Sequence, residues 1–556
     1  MTNCGDPRTG GQILAAALVR NGVERAFCVP GESYLALLDA LYESSIQVNV
    51  FRHEGGAAMA AEALGKLTCR PGIVMATRGP GATNASAGLH IGRQDSTPMI
   101  LLLGQVARRM RGREAFQEID AKNFFGEVAK WVEEIDSPDR IPEIVARAFH
   151  QATSGRPGPV VLSLPEDMLR ATAVVPDAKS WVQVETYPDP RQMAELGKML
   201  GAAKRPFVIL GGSRWSEEAV AGVRRFAERF DVPVGCSLRR QALFDHDHPN
   251  YAGDVGIGVN PALAERVKQA DLLLLIGGRM SEMPSSGYTL IDIPDPKQAL
   301  VHVYPGAEEL GRVYRPTLAI NASPAMFVAA LESVRQPTSI EWSAETRAAN
   351  AAFRAWSTPT KNIGAVQLGE LVAWLRERLP DDAILTNGAG NYSGWLHRFF
   401  RFRRYATQLA PTSGTMGYGL PAAIAAKLKF PERIVVAFAG DGCFQLTSQE
   451  LATAVQYGAG VVVVVVNNGV HGTIRMHQER DYPGRVIATD LVNPDFAALA
   501  RAYGGHGETV AATEEFAPAF ERALASGKPA IIEVKFDPEA IATSTTLSAI
   551  RGKGKR

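Results

Sequence analysis

The 556-residue chain reads as an α/β protein of three doubly wound parallel-sheet domains. Its strand-like segments are short, continuous apolar runs, such as Leu272-Leu273-Leu274-Leu275-Ile276 and the six valines at 461–466. Unbroken apolarity of that length is the pattern of strands covered on both faces, which parallel sheets require. Helix-like segments separate the runs, as crossovers between parallel strands demand. Many runs end in glycine or small polar residues, and the carboxyl ends of parallel strands are where open α/β sheets bind ligands.

Taken in order, the first block alternates a helix pattern at 11–21 with strand runs at 26–29, 72–77, 99–103 and 159–165. A polar, proline-bearing connector at 174–191 follows. The middle block carries 207–210 running into Gly211-Gly212 and 271–276 running into Gly277-Gly278. A second connector spans 336–364, and the last block closes with a strand at 530–534. The domain limits are therefore 1–173, 192–335 and 365–540, in line with about 150 residues per domain.

Lys plus Arg (59) balance Asp plus Glu (58), so no field favours nucleic acid or an anionic membrane. Only the tail at 551–556 is locally basic, and it reads as solvated and mobile. Cys4, Cys28, Cys69, Cys236 and Cys443 show no ligand spacing, which points to reduced thiols and a cytoplasmic compartment. With no signal-peptide pattern and no apolar run of about 18 residues, the chain reads as soluble.

The most informative motif is Gly440-Asp441-Gly442, followed after 24 residues by Asn467-Asn468. The first sits at the end of the run 434–439, the second at the end of the valine run. Either alone is an ordinary turn. Together they bring a carboxylate and an amide oxygen to neighbouring strand ends, donors that suit a hard cation holding a diphosphate. In the first block, Glu54 stands where a helix of small residues begins, and 77–84 (Thr-Arg-Gly-Pro-Gly-Ala-Thr-Asn) reads as a glycine-rich turn after a strand. Alone, Glu54 is a first-turn acid facing the helix dipole.

These segments together resemble the signature of the thiamin diphosphate enzyme superfamily, and over nearly the whole chain the catalytic large subunit of acetolactate synthase. Phe116-Gln117-Glu118, Gly155 to Val160, Gly414-Thr415-Met416-Gly417 and Gln449 to Thr453 carry that second resemblance. It implies a pyrimidine-binding first domain, a central domain and a diphosphate-binding last domain. It places Glu54 on the pyrimidine ring and Phe116 and Gln117 toward the substrate from a partner subunit. Asp441, Asn468 and Val470 would hold Mg²⁺; Gly390, Asn391, Tyr392, Gly414, Gly440, Gly442 and Gly472 would contact the cofactor, with Met416 as an apolar wedge. The implied activity is decarboxylation of a 2-oxo acid, pyruvate by default, with carboligation to an acceptor. The implied assembly is a homodimer or a dimer of dimers. A simple decarboxylase, a 2-hydroxyacyl lyase and a catalytically silent binding subunit are the alternatives. Intact Glu54, Met416, Asp441 and Asn468 weigh against the last.

Departures from the resembling family are local. His477 falls where a tryptophan narrows the acceptor pocket, Gly55 replaces a common glutamine, and Asn391 and Tyr392 stand where relatives often have Gln and His. Ser281 and Tyr304 occupy places where flavin-binding relatives carry acids, which argues against FAD, since unmade buried hydrogen bonds cost about 1–3 kcal/mol. His246-Asp247-His248 reads as a solvated loop rather than a metal site. The glycine pairs at 211–212 and 277–278 are a weak nucleotide signal, and Glu32 and Ser33 read either as substrate-bordering or as a helix cap made by Ser33.

Overall fold

A computed structural model describes residues 6–554. They form two compact units: one runs to Val184 and takes in Ile424–Lys429 and Thr447–Tyr457, and the other holds the rest.

The first unit is built on β1 (Arg25–Cys28), β2 (Gln47–Val50), β3 (Gly72–Ala76), β4 (Met99–Gln105), β5 (Trp131–Glu134) and β6 (Pro159–Pro165). All pairs are parallel, in the order β2-β1-β3-β4-β6-β5. Strands β3, β4 and β6 are buried along their whole length, which explains their lack of polar alternation. Helix Glu54–Thr68 packs on helix Arg78–Asp95 at backbone range, because a methyl group on Gly88 would lie 2.4 Å from Ala58 Cβ. Only small residues permit that approach.

The second unit holds two sheets. The central one has β7 (Pro206–Leu210), β8 (Val234–Ser237), β9 (Tyr251–Val255), β10 (Leu272–Ile276), β11 (Ala299–Tyr304) and β12 (Leu318–Asn321), ordered β9-β8-β7-β10-β11-β12. That is the strand order of dinucleotide-binding folds. The other has β13 (Ile384–Asn387), β14 (Gln408–Leu409), β15 (Val435–Gly440), β16 (Val462–Asn467), β17 (His506–Val510) and β18 (Ala530–Lys535), ordered β14-β13-β15-β16-β18-β17. Its topology repeats that of the first sheet strand for strand.

Four local expectations need correction. The second connector contains helix Ser343–Trp356, because Thr346, Ala349 and Phe353 share one buried face and Trp342 Nε1 donates to the Phe230 carbonyl at 3.0 Å. The stretch 77–84 is no free turn: helix Arg78–Asp95 starts at once after Thr77, and Pro80 sits in its first turn, where no N–H is needed. The basic tail forms helix Leu547–Lys553, and Arg551 pairs with the fully buried carboxylate of Glu479; Lys555 and Arg556 lie outside the described residues. His246-Asp247-His248 is not solvated. His246 is 1% exposed and stacks on Tyr251 at 4.1 Å, while Asp247 takes Arg401 (3.0 Å) and Arg403 (2.6 Å).

Cys28, Cys236 and Cys443 are buried thiols, and Cys4 lies outside the described residues. Among the described residues no helix is long and apolar enough to cross a membrane.

Candidate active site

In the first unit, β2 ends at Val50 and four residues later Glu54 opens a helix. His53 is extended and its Nδ1 accepts the Gly55 N–H at 3.0 Å, so a side chain caps the helix and fixes where Glu54 starts. Glu54 is 8% exposed; Asn84 Nδ2 donates to its Oε2 at 2.9 Å. A methyl on Gly81 would come within 3.3 Å of Oε1, so glycine there keeps that oxygen uncrowded. The result is a buried carboxylate with one oxygen oriented by an amide.

Phe116 and Gln117 lie on a loop seated on the N-terminus of helix Arg78–Asp95. Gln117 takes a positive φ of 64°, and its carbonyl accepts the Gly79 N–H at 2.8 Å. Glu118 closes the loop by accepting from Gly112 N (2.7 Å) and Ala115 N (3.0 Å), bonds that hold its carboxyl below the ordinary value. The Phe116 side chain is 73% exposed. Beneath, Arg78 bonds Glu166 at 2.7 Å and reaches Glu32 at 3.5 Å. Ser33 caps no helix: its hydroxyl pairs with Thr77 Oγ1 at 2.8 Å, and the three-residue 3₁₀ turn Glu32–Tyr34 has Gly31 as its cap position.

In the second unit, the loops after β13, β14, β15 and β16 gather at one sheet end. Gly440 closes β15 and Asp441 opens helix Asp441–Gln445. Asp441 is 3% exposed; its Oδ1 accepts Gly442 N–H at 2.8 Å, and Oδ2 accepts Gly469 N–H at 2.8 Å and Asn493 Nδ2 at 2.7 Å. Burial pushes the carboxyl up from its ordinary value, against the pull of those donors. The two asparagines divide their work. Asn467 donates to Glu533 at 2.6 Å and accepts from Asn493 at 2.8 Å, whereas Asn468 Oδ1 accepts the Val470 N–H at 3.3 Å.

Gly469 turns the chain with φ 67°, and His471, at the cap position of helix Gly472–Asp481, lies against Gly442. Around this centre, Gly390 (φ 147°) and Gly414 (φ 70°) hold conformations that side chains disfavour, and nothing lies within 4 Å of where a Gly414 Cβ would be. Asn391 donates to the Ile541 carbonyl at 2.9 Å and accepts from Thr473 at 2.8 Å. Tyr392 is buried: its hydroxyl accepts from Gly388 N at 3.1 Å and reaches Cys443 Sγ at 3.4 Å, which also accepts from Gly417 N at 3.2 Å. Tyr392 thus braces the loops from within. Met416 packs partly buried on the same core.

Sequence reasoning missed Asn493, which lies 52 residues from Asp441 in the chain and in a stretch with only turn-like composition. It also gave Cys443 no part.

The comparisons agree with this architecture. Residues 8–124 match the N-terminal TPP binding domain of thiamine pyrophosphate enzymes, 193–331 their central domain and 388–534 their C-terminal TPP binding domain. The chain is 31% identical to the acetolactate synthase large subunit of Corynebacterium glutamicum, covering 94% of this chain and 86% of that one. It is 30% identical to the acetolactate synthase isozyme 2 large subunit of Escherichia coli, covering 95% of each. Against the probable acetolactate synthase large subunit of Methanocaldococcus jannaschii it is 31% identical, covering 95% and 92%. Carrying all three domains in order and resembling these subunits nearly end to end, the chain belongs to the thiamine pyrophosphate enzyme family, in its acetolactate synthase-like branch.

Proposed function

We propose that this enzyme decarboxylates pyruvate and joins the remaining two-carbon unit to the carbonyl of a second 2-oxo acid or an aldehyde. The observation that carries the reading is Glu54, buried at a helix start and oriented by Asn84. The donor chemistry fits the cofactor and its metal. Asp441 offers a carboxylate, Asn468 an amide oxygen and Val470 a backbone carbonyl, the hard oxygens that Mg²⁺ takes. Gly414 leaves open space where a side chain would stand, room for a diphosphate, and the N-terminus of helix Gly472–Asp481 contributes amide dipoles. Bound there, thiamin diphosphate would supply a nucleophilic ring carbon to add to the substrate carbonyl and a cationic ring to take up the electron pair released with CO₂.

The protein's part is positional and electrostatic. Glu54 would hold a proton shared with the pyrimidine N1′, its carboxylate oriented by the Asn84 amide. Met416 supports the cofactor from its apolar side. Phe116 and Gln117 border the substrate, held by the Gly79 and Glu118 bonds. His477, on helix Gly472–Asp481, replaces a bulky indole by a smaller polar ring, which favours a wider, more polar acceptor pocket.

The assembly is a homodimer or a dimer of dimers. Beside the half-sites, Phe116 in the first unit and Leu446, Ile487 and Val492 in the second are exposed apolar side chains, and a second copy is the cover a symmetric enzyme supplies. The central domain works without FAD. Its strand-end glycines serve each other: a methyl on Gly212 would lie 1.7 Å from the Gly277 carbonyl oxygen. Balanced charge and the buried thiols of Cys28, Cys236 and Cys443 fit a cytoplasmic setting.

The test is product analysis of the purified protein with pyruvate, thiamin diphosphate and Mg²⁺, with and without aldehyde acceptors. Acetolactate or another ligated ketol is expected. Acetaldehyde alone would make it a simple decarboxylase, and no turnover of any 2-oxo acid would overturn the reading.

A further inference from the structure

The run Gln449-Glu450-Leu451-Ala452-Thr453 has no part in the site described above, yet Glu450 is 0% exposed. Its carboxylate, in the first compact unit, meets the segment that leads into the Glu54 helix. The Arg52 N–H is shared between Oε1 (3.2 Å) and Oε2 (3.1 Å), and the Thr453 hydroxyl donates to Oε2 at 2.6 Å. Gly56, in the first turn of the Glu54 helix, has no side chain where the carboxylate lies: a methyl there would be 2.6 Å from Oε1. The same short helix, Glu450–Gln456, grips the segment twice more. The Tyr457 hydroxyl at its end accepts the Val50 N–H at 2.7 Å, and Thr453 takes the Arg52 guanidinium at 3.3 Å.

We propose that Glu450 is a positioning residue for Glu54, an anionic brace that fixes the backbone of Arg52 and thereby the start of the Glu54 helix. The proposal rests on the role given to Glu54 above. Arg52 is two residues from Glu54, and a helix moves as a rigid piece, so displacement at Arg52 is passed on to the Glu54 carboxylate. The Asn84 bond at 2.9 Å leaves little slack, because N–H···O bonds span only about 2.7–3.2 Å. A glutamine in place of Glu450 would lose one acceptor. Its amide hydrogens would either face the Arg52 N–H, donor against donor, or force the Thr453 hydroxyl to give up its donated bond and accept instead.

The experiment uses the full-length protein loaded with thiamin diphosphate and Mg²⁺, and compares Glu450→Gln with Glu54→Gln. Three quantities are read: cofactor affinity by titration, the exchange rate of the cofactor C2 proton by NMR, and amide hydrogen exchange in the peptide covering residues 48–55. For Glu450→Gln, affinity is expected to change little, C2 exchange to fall roughly 10- to 100-fold, as an ångström-scale misplacement gives, and the 48–55 amides to lose protection. Glu54→Gln is expected to abolish C2 exchange and to leave those amides protected. Wild-type C2 exchange in Glu450→Gln, with Glu54→Gln inactive, overturns the brace while leaving the Glu54 assignment standing. Wild-type exchange in Glu54→Gln removes that assignment, and the brace with it. If Glu450→Gln does not fold, Thr453→Val removes the hydroxyl that both steadies Oε2 and accepts the Arg52 guanidinium, leaving the Glu450 carboxylate in place. An intermediate loss of C2 exchange at unchanged affinity supports the brace, and no loss overturns it.

Discussion

Asn493 gives both hydrogens of its amide to neighbouring loops, to Asp441 Oδ2 and to Asn467 Oδ1, and accepts from Gln445 in return. A single side chain thus sets the direction of the carboxylate expected to hold the metal. Removing it in Asn493→Ala costs a charge-assisted bond of about 1.5–3 kcal/mol, so metal-dependent cofactor affinity should fall about 10- to 100-fold, read by titration with and without chelator. Asp441→Ala is expected to abolish that metal-dependent binding altogether; wild-type affinity in the variant would misplace the metal site. His246 carries a different prediction. Its Nε2 donates to the Gln241 carbonyl, its Nδ1 is buried without a partner, and burial lowers its pKa to about 3. An unfolded histidine titrates near 6.5, so the unfolded chain takes up a proton that the folded one refuses. Stability from the neutral ring is intact above pH 6.5 and is lost as pH falls toward about 3, with Asp247, Arg376 and Arg401 as the nearest charges. At pH 5 the loss is about 2 kcal/mol. In urea unfolding, His246→Phe should show a smaller drop between pH 7 and pH 5 than the parent; an equal drop would refute the assignment.

At the scale of elements, the helix pair Glu54–Thr68 and Arg78–Asp95 is the support that brings Asn84 to Glu54. Its closeness depends on Gly88, where an added methyl meets Ala58 Cβ at 2.4 Å and the Ala58 carbonyl carbon at 2.6 Å. Neither atom is a flexible side-chain end that can swing aside. Gly88→Ala is therefore expected to destabilise the protein by about 1–3 kcal/mol, measured by denaturant unfolding, and to slow C2 exchange through the shifted helices. A neutral stability change would mean that the pair can separate freely. The first turn of helix Arg78–Asp95 shows how the local reading went astray. Gly79, Pro80 and Gly81 are turn formers by propensity, yet Pro80 meets the one place in a helix where its missing N–H costs nothing.

For the whole molecule, the first and last sheets share one strand order, and in the proposed reading each would carry half of the site at its strand ends. Glu54 belongs to one compact unit and Asp441 to the other. The resemblance that assigns the cofactor also assigns the two halves of each site to different chains of a dimer. Mixing inactive Glu54→Gln chains with inactive Asp441→Ala chains, under conditions that allow subunit exchange, is expected to restore part of the activity. A hybrid dimer then pairs one intact Glu54 with one intact Asp441. Absence of recovery in demonstrated hybrids would show that each chain completes its own site.

The sequence by itself determined the three parallel sheets, the start of the Glu54 helix and the strand-end positions of Asp441 and Asn468. Those features follow from short-range physics. Apolar runs are strands buried on both faces, and glycines at their ends are turns that carry no side chain. Only the tertiary structure decided which asparagine faces Asp441, that Tyr392 points inward to Cys443, that Glu450 grips Arg52, and that His246 lies in an aromatic core. It also decided that residues 343–356 and 547–553 are helices. The reason is the reach of the contacts. Asn493 lies 52 residues from its partner in the chain, and Glu450 lies 398 from Arg52. Polar residues in turn-like or helix-like stretches look solvated in sequence, and burial by distant segments leaves no mark on their local composition.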